Sequence, residues 1–123
     1  MDFTEVENMN EMFKECKILK EINLSEITTK VKSMSKMFLD CSNIKKINLC
    51  KFKSKNTIED CTYMFQNCDN LEELDLTDFE ISNHTNIDDM FDFKKNNNFN
   101  LKVNPGSYIE EQYNIVKSNL KKN

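Results

Sequence analysis

The chain has 123 residues, the size of one domain, and we expect residues 1–123 to form a single one. Hydrophobic residues make up 38% of it, and no apolar run approaches the roughly 18 residues that a transmembrane helix needs, so a membrane span is excluded. The 21 acidic residues outnumber the 17 basic ones, all of them Lys, and without Arg, the side chain best suited to bases and phosphates, nucleic acid is not an expected partner.

The first ten residues contain acidic groups and have neither the basic segment nor the apolar core of a secretory signal peptide. Export by that route is therefore not expected. The amino-terminal residues also contain no segment that would cover an exposed apolar surface at that end of the domain. We expect a monomer, with an end-to-end dimer through this end as the alternative.

A Met-Phe pair recurs along the chain with spacings of 25, 27 and 26 residues. A Cys stands four residues after the Met in the first three copies, and Lys94 replaces it in the fourth. Apolar residues occupy fixed offsets on both sides, so the unit reads V-x-x-M-x-x-M-F-x-x-C-x-x-L-x-x-L-x-L-x-x-F. The predicted repeats are about 6–30, 31–57, 58–83 and a degenerate 84–104.

Two periodicities alternate within each unit. From Val31 to Cys41 the apolar spacing is 3, 3, 1 and 3, which predicts a short amphipathic helix of about three turns. Period-two alternation around Ile47 and Leu74 predicts a short strand with one buried face. One strand and one short helix cannot bury their apolar faces alone and must stack on their copies. The sequence therefore predicts an α/β fold: a short right-handed leucine-rich-repeat solenoid with a parallel β-strand ladder and short helices on the other face.

The carboxyl-terminal part changes character after the last Met-Phe pair. The alternation of Phe99, Leu101 and Val103 predicts a final strand. Ser107 followed by Glu110 forms a capping box, and apolar residues continue at helical spacing beyond it. These residues are Ile109, Tyr113, Val116 and Leu120. We predict a capping helix over residues 107–121 that covers the end of the solenoid.

Residues 74–91 read LDLTDFEISNHTNIDDMF and resemble the unit of the BspA-like leucine-rich-repeat surface proteins, LDLSxFDTSNVTNMxxMFxxCxxL. The resemblance extends over roughly residues 6–91 and includes the Met-Phe-x-x-Cys signature. It implies a role in adhesion or protein–protein binding at a cell surface, and it supplies no catalytic residues. His84 stands where the family has Val, and we expect it to pack near the core of the last repeat.

Four of the five cysteines occupy repeated apolar positions. Cys16, Cys41 and Cys68 share one position, and Cys61 shares another with Met34. Stacked, reduced thiols explain this pattern, and the odd count and the absence of Cys-x-x-Cys speak against the alternatives of a disulfide or a zinc site. Reduced thiols without a signal peptide favour the cytoplasm, whereas the family resemblance favours the cell surface.

Polar residues that alternate with the buried strand residues are expected to point outward and to meet a protein partner. We predict a non-enzymatic binding module with no catalytic residue, cofactor or metal. The candidate partner-binding residues are Glu21, Asn23, Ser25, Lys46, Asn48, Cys50, Glu73, Asp75 and Thr77. Stacking should place Lys46 between Glu21 and Glu73. The alternatives are a structural spacer without a partner and a thiol-dependent enzyme that uses Cys50.

Overall fold

The computed structural model describes residues 2–121 of the chain and the side chains of residues 2–119, so the predicted packing of Leu120 lies outside the described side chains. The fold is mixed α/β, with two parallel sheets and a carboxyl-terminal helix. The elements in chain order are β1 (Glu21–Asn23), β2 (Thr28–Thr29), β3 (Lys46–Asn48), β4 (Lys53–Ser54), β5 (Glu73–Asp75), β6 (Asn100–Lys102) and α1 (Tyr108–Lys121).

The larger sheet is parallel and has the strand order β1-β3-β5-β6. Each strand pairs with the strand of the following unit, and the register aligns Ile22 with Ile47, Ile47 with Leu74, and Leu74 with Leu101. The two central residues of this row, Ile47 and Leu74, are buried. The predicted parallel sheet and its register are confirmed, since one apolar residue per strand points inward and its two neighbours point outward.

A second parallel sheet joins β2 to β4, with Thr28 opposite Lys53. Single parallel bridges also link equivalent residues just before the Met-Phe segments. These bridges join Asn8 to Ser33, Ser33 to Asp60, and Asp60 to Asn86. Successive units are therefore in backbone contact at several points around each unit.

The segments around the Met-Phe pairs are not helices, and the prediction of short helices there is wrong. The N–H of Met37 donates to the carbonyl of Met34 at 3.3 Å, an i to i−3 turn, whereas the N–H of Phe38 donates to the carbonyl of Met64 in the next unit at 2.9 Å. Alternate N–H groups are thus used between units and cannot close the i to i−4 bonds of an α-helix.

Left-handed backbone conformations explain why no helix forms in these segments. Lys36 has φ 59° and Asp40 has φ 60°, so a residue that cannot continue a right-handed helix stands on either side of the Met-Phe pair. Equivalent residues of the other units, such as Glu11 and Tyr63, share this conformation. The apolar spacing of 3, 3, 1 and 3 comes from consecutive turns.

The core is built from columns of identical or similar side chains, one from each unit. The rings of Phe13 and Phe38 stack with centroids 5.5 Å apart, those of Phe38 and Phe65 with centroids 5.8 Å apart, and those of Phe65 and Phe91 at 6.3 Å. Phe38 and Phe65 are completely buried, whereas Phe13 is half-buried. The central units therefore carry most of the buried apolar surface.

The predicted carboxyl-terminal helix is confirmed. The N–H of Glu110 donates to the hydroxyl oxygen of Ser107 at 3.2 Å, and the Glu110 carboxylate accepts from the N–H of Gly106 at 3.0 Å. Tyr113 sets its ring edge-on to Phe91 at a centroid distance of 5.3 Å. The helix thus packs on the last Met-Phe segment. Within residues 2–121, no helix has the length and apolar content to cross a membrane.

His84 does not pack near the core, and that prediction is wrong. His84 is exposed, and the neighbouring Thr85 is buried in its place. The hydroxyl of Thr85 donates to the carbonyl of Ile58 at 2.6 Å, which satisfies the polar group inside the fold.

Candidate functional site

The outward face of the larger sheet carries a shallow groove of about 360 Å³, which we call the strand-face groove. It crosses all four strands, so side chains from distant parts of the sequence meet in it. Its lining residues are Glu21, Ile22, Asn23, Lys46, Ile47, Asn48, Glu73, Asp75 and Lys102.

Six of the nine predicted binding residues line this groove. They are Glu21, Asn23, Lys46, Asn48, Glu73 and Asp75. The other three, Ser25, Cys50 and Thr77, follow the strands and do not line it. Sequence analysis missed Lys102, although its alternation with Leu101 carried the signal: β6 pairs with β5 and aligns Lys102 with Asp75.

Of the five charged residues in the groove, Lys102 and Glu73 form an ion pair, Asp75 accepts a backbone hydrogen bond, and Lys46 and Glu21 remain. The Lys102 ammonium lies 2.6 Å from the Glu73 carboxylate, and this hydrogen bond, with the charge of Glu73, raises the pKa of Lys102. Lys46 stands in register between Glu21 and Glu73, as predicted. Nevertheless, within residues 2–121 neither Lys46 nor Glu21 forms an ion pair. Their charges are therefore not neutralised by an ion pair among the described residues.

The amide and carboxylate side chains at the ends of the strands form hydrogen bonds that stabilise the turns after them. The side-chain oxygens of Asn23, Asn48 and Asp75 each accept the backbone N–H two residues further on, at 2.9, 2.9 and 3.0 Å. Such bonds close the turn by which the chain leaves the strand. These three side chains therefore stabilise the fold, and Glu21 and Lys46 are the stronger candidates for contact with a partner.

All five cysteines are free thiols. Cys41 and Cys68 are buried, and their thiols donate to the carbonyls of Phe13 and Phe38 at 3.0 and 3.2 Å. Burial raises the pKa of Cys41 to about 11, and it raises the pKa of Cys68 as well. Since the thiolate is the reactive form, these groups are poor nucleophiles and poor metal ligands near neutral pH.

Cys50 is half-buried, and its backbone N–H donates to Asn48. None of its hydrogen bonds within residues 2–121 joins its thiol to a basic group, and His84 lies exposed in another unit. The part of the chain that the structure describes brings together no three His, Cys, Asp or Glu side chains in a metal-binding arrangement.

One protein-family model matches residues 1–104, and it is described as "Mycoplasma protein of unknown function, DUF285". The matched region includes all six strands and ends before α1. No curated protein matches the chain, and no solved structure matches it.

Proposed function

We propose that this chain is a non-enzymatic module that binds another protein through the strand-face groove. The chain belongs to the family described as "Mycoplasma protein of unknown function, DUF285". The observation that carries the proposal is the groove itself, in which unbonded charges stand beside a bonded pair across four strands. A groove on the face of a rigid sheet is a common place for recognition, because the scaffold orders the contacting side chains in advance.

We propose further that the repeated units form a short right-handed leucine-rich-repeat solenoid of the BspA-like kind, closed by α1. Three features support this: the parallel pairing of each strand with the next unit, the bridges on the other side of each unit, and the column of stacked phenylalanines. The resemblance of residues 74–91 to the BspA-like unit supports a role in adhesion or protein–protein binding.

The chemistry of the groove favours a polar, mixed-charge segment as the bound part of the partner. Glu21 offers a carboxylate to a cation, and Lys46, one strand away, offers an ammonium to an anion. Opposite charges on neighbouring strands, which lie about 4.8 Å apart, can select an orientation of the segment more than they add affinity, because exposed ion pairs contribute little free energy.

The proposal is tested with a random peptide library displayed on phage and selected against the full chain. The affinities of the selected peptides are then compared for the wild-type chain, Lys46→Gln and Glu21→Gln. Lys55→Gln is the matched control, because Lys55 is exposed, forms no ion pair within residues 2–121 and lies outside the strand-face groove.

Groove binding predicts that most selected peptides lose about threefold to fivefold in affinity with Lys46→Gln or Glu21→Gln, which corresponds to about 0.6–1 kcal/mol, and keep their affinity with Lys55→Gln. A library that yields no binders would favour a spacer without a partner. Binders that ignore both groove variants would place the interaction on another face.

A further inference from the structure

A second groove lies between α1 and the last Met-Phe segment. Its volume is about 310 Å³, and we call it the helix groove. Its apolar lining includes Ile87, Phe91 and Ile115, the last of which is 48% exposed. An isoleucine that exposed beside an apolar cavity offers a surface that a hydrophobic side chain could cover.

The backbone along this groove has a row of unused donors. In the preceding unit, the N–H groups of Cys61, Tyr63 and Phe65 donate to carbonyls of the last unit at 2.8, 3.0 and 3.2 Å. The equivalent residues of the last unit are Ile87, Asp89 and Phe91. Within residues 2–121 their N–H groups have no acceptor.

The spacing of these donors specifies the kind of group that would satisfy them. They belong to every second residue of a segment of consecutive turns. The carbonyls that accept from the equivalent donors of the preceding unit are those of Asn86, Asp88 and Met90, and they belong to every second residue of a turn segment as well. A peptide that adopts this turn conformation can therefore accept all three bonds.

The rim of the helix groove selects the charge of that peptide. Asp88, Asp89 and Asp92 all line it. Asp92 accepts a hydrogen bond from Gln66 at 2.7 Å, while Asp88 and Asp89 form no ion pair within residues 2–121.

The cation already in the groove, Lys95, is attracted to Asp92 but forms no ion pair with Asp88 or Asp89 within residues 2–121. The ammonium of Lys95 donates to the carbonyl of Phe91 and lies 4.2 Å from the centre of the Phe93 ring, and burial lowers the pKa of Lys95. The exposed charge at the rim is therefore acidic.

We infer that the helix groove binds a peptide in which lysines alternate with aliphatic residues and which adopts the turn conformation of a following unit. Its carbonyls accept from Ile87, Asp89 and Phe91, an aliphatic side chain enters beside Ile115, and its lysines meet the aspartates. This site is separate from the strand-face groove and does not depend on the function proposed for it.

The test uses the full chain and the capped peptide Lys-Ile-Lys-Val-Lys, with Glu-Ile-Glu-Val-Glu as the charge-reversed control. Binding is measured by fluorescence anisotropy, and amide hydrogen exchange is followed by NMR. We expect the amides of Ile87, Asp89 and Phe91 to exchange rapidly in the free protein and about tenfold more slowly with the lysine peptide. The amides of the preceding unit should be protected in both states.

Two pairs of variants locate the site. Asp89→Lys is matched by Glu26→Lys, because both residues have a left-handed backbone conformation. A lysine already adopts that conformation at the equivalent position of another unit, Lys36 for Asp89 and Lys51 for Glu26. Ile115→Asp is matched by Ile18→Asp, whose side chain is 94% exposed. Asp89→Lys and Ile115→Asp should each weaken binding about tenfold, and the two controls should leave it unchanged.

Several results would overturn the inference. One is equal binding of both peptides, and another is no binding of the lysine peptide at about 1 mM. A third is binding that leaves the exchange of Ile87, Asp89 and Phe91 unchanged. Protection of these amides that rises with protein concentration in the absence of peptide would show that a second copy of the chain occupies the groove instead.

Discussion

Truncation of the central ring of the phenylalanine column should remove a large part of the stability of the fold. Phe38 is completely buried between Phe13 and Phe65, with ring centroids at 5.5 and 5.8 Å. Deletion of a buried Phe side chain costs about 3–5 kcal/mol, and the upper half of that range applies because the cavity would have a ring on both sides. A domain stable by about 5–15 kcal/mol would be close to unfolding.

The assay is urea unfolding followed by circular dichroism, and the comparison is between positions in the column. Phe13 is half-buried and has one ring partner, so Phe13→Ala should cost about half as much as Phe38→Ala. Phe38→Leu keeps most of the side-chain volume and should therefore cost less than Phe38→Ala, which leaves a closed cavity. Equal losses at both positions, or a loss below about 1 kcal/mol at Phe38, would refute the account of the core.

Three further predictions concern the thiols, the helix and the strand ends. A reducing agent should leave Tm unchanged, because all five cysteines are free thiols. At about pH 8 an alkylating reagent should modify Cys50 well before Cys41, because burial raises the pKa of Cys41 to about 11. Equal labelling of the two thiols in mass spectrometry would contradict this. Removal of residues 105–123 should uncover the last unit and cause self-association in size-exclusion chromatography, whereas a stable monomer would show that α1 does not cover that end. Asn48→Ala and Asp75→Ala should each cost about 0.5–1.5 kcal/mol in urea unfolding because each removes a turn-closing hydrogen bond, and two unchanged stabilities would assign these side chains to the surface alone.

The ionisation of Cys41 also gives the stability a defined pH dependence. Its pKa in the folded chain is raised from 9.0 to about 11. The contribution of this thiol is therefore complete below pH 9.0 and is lost as the pH rises towards about 11, because the unfolded chain releases the proton first. The same urea assay at rising pH measures this loss together with the losses from Cys61 and Cys68, whose pKa values burial also raises.

The strands could be predicted from sequence because their signal is local and strict. A slip of one residue would exchange the buried row that contains Ile47 and Leu74 for the polar residues beside it. Since identical units repeat at nearly constant spacing, the same argument aligns every strand with the next. Strand alternation therefore predicts that Lys46 lies between Glu21 and Glu73, and the register of the sheet agrees.

The turn segments could not be predicted, because their apolar spacing is the same as that of a short helix. What decides between them is the left-handed backbone at Lys36 and Asp40 and the donation of alternate N–H groups to the next unit. Gly or Asn often marks a left-handed position, but Lys and Asp give a weaker signal. The burial of Thr85 in place of His84 likewise depends on a hydrogen bond to Ile58, which spacing does not reveal.

Only part of the strand-face groove could be predicted from the sequence. Outward positions follow from strand alternation, which identified six of its residues. Lys102 was missed because the last unit is degenerate, so its predicted strand was not aligned with the strands that carry the other candidate residues. The turn-closing role of Asn48 depends on side-chain geometry that the alternation of buried and exposed residues does not contain.

The most direct test of the binding account is an NMR titration of the labelled full chain with a peptide selected from the library. If the strand-face groove is the binding surface, the amide signals of Glu21–Asn23, Lys46–Asn48 and Glu73–Asp75 should shift together and saturate at one affinity. Shifts confined to residues 86–93 and α1, with these three strands unchanged, would contradict it.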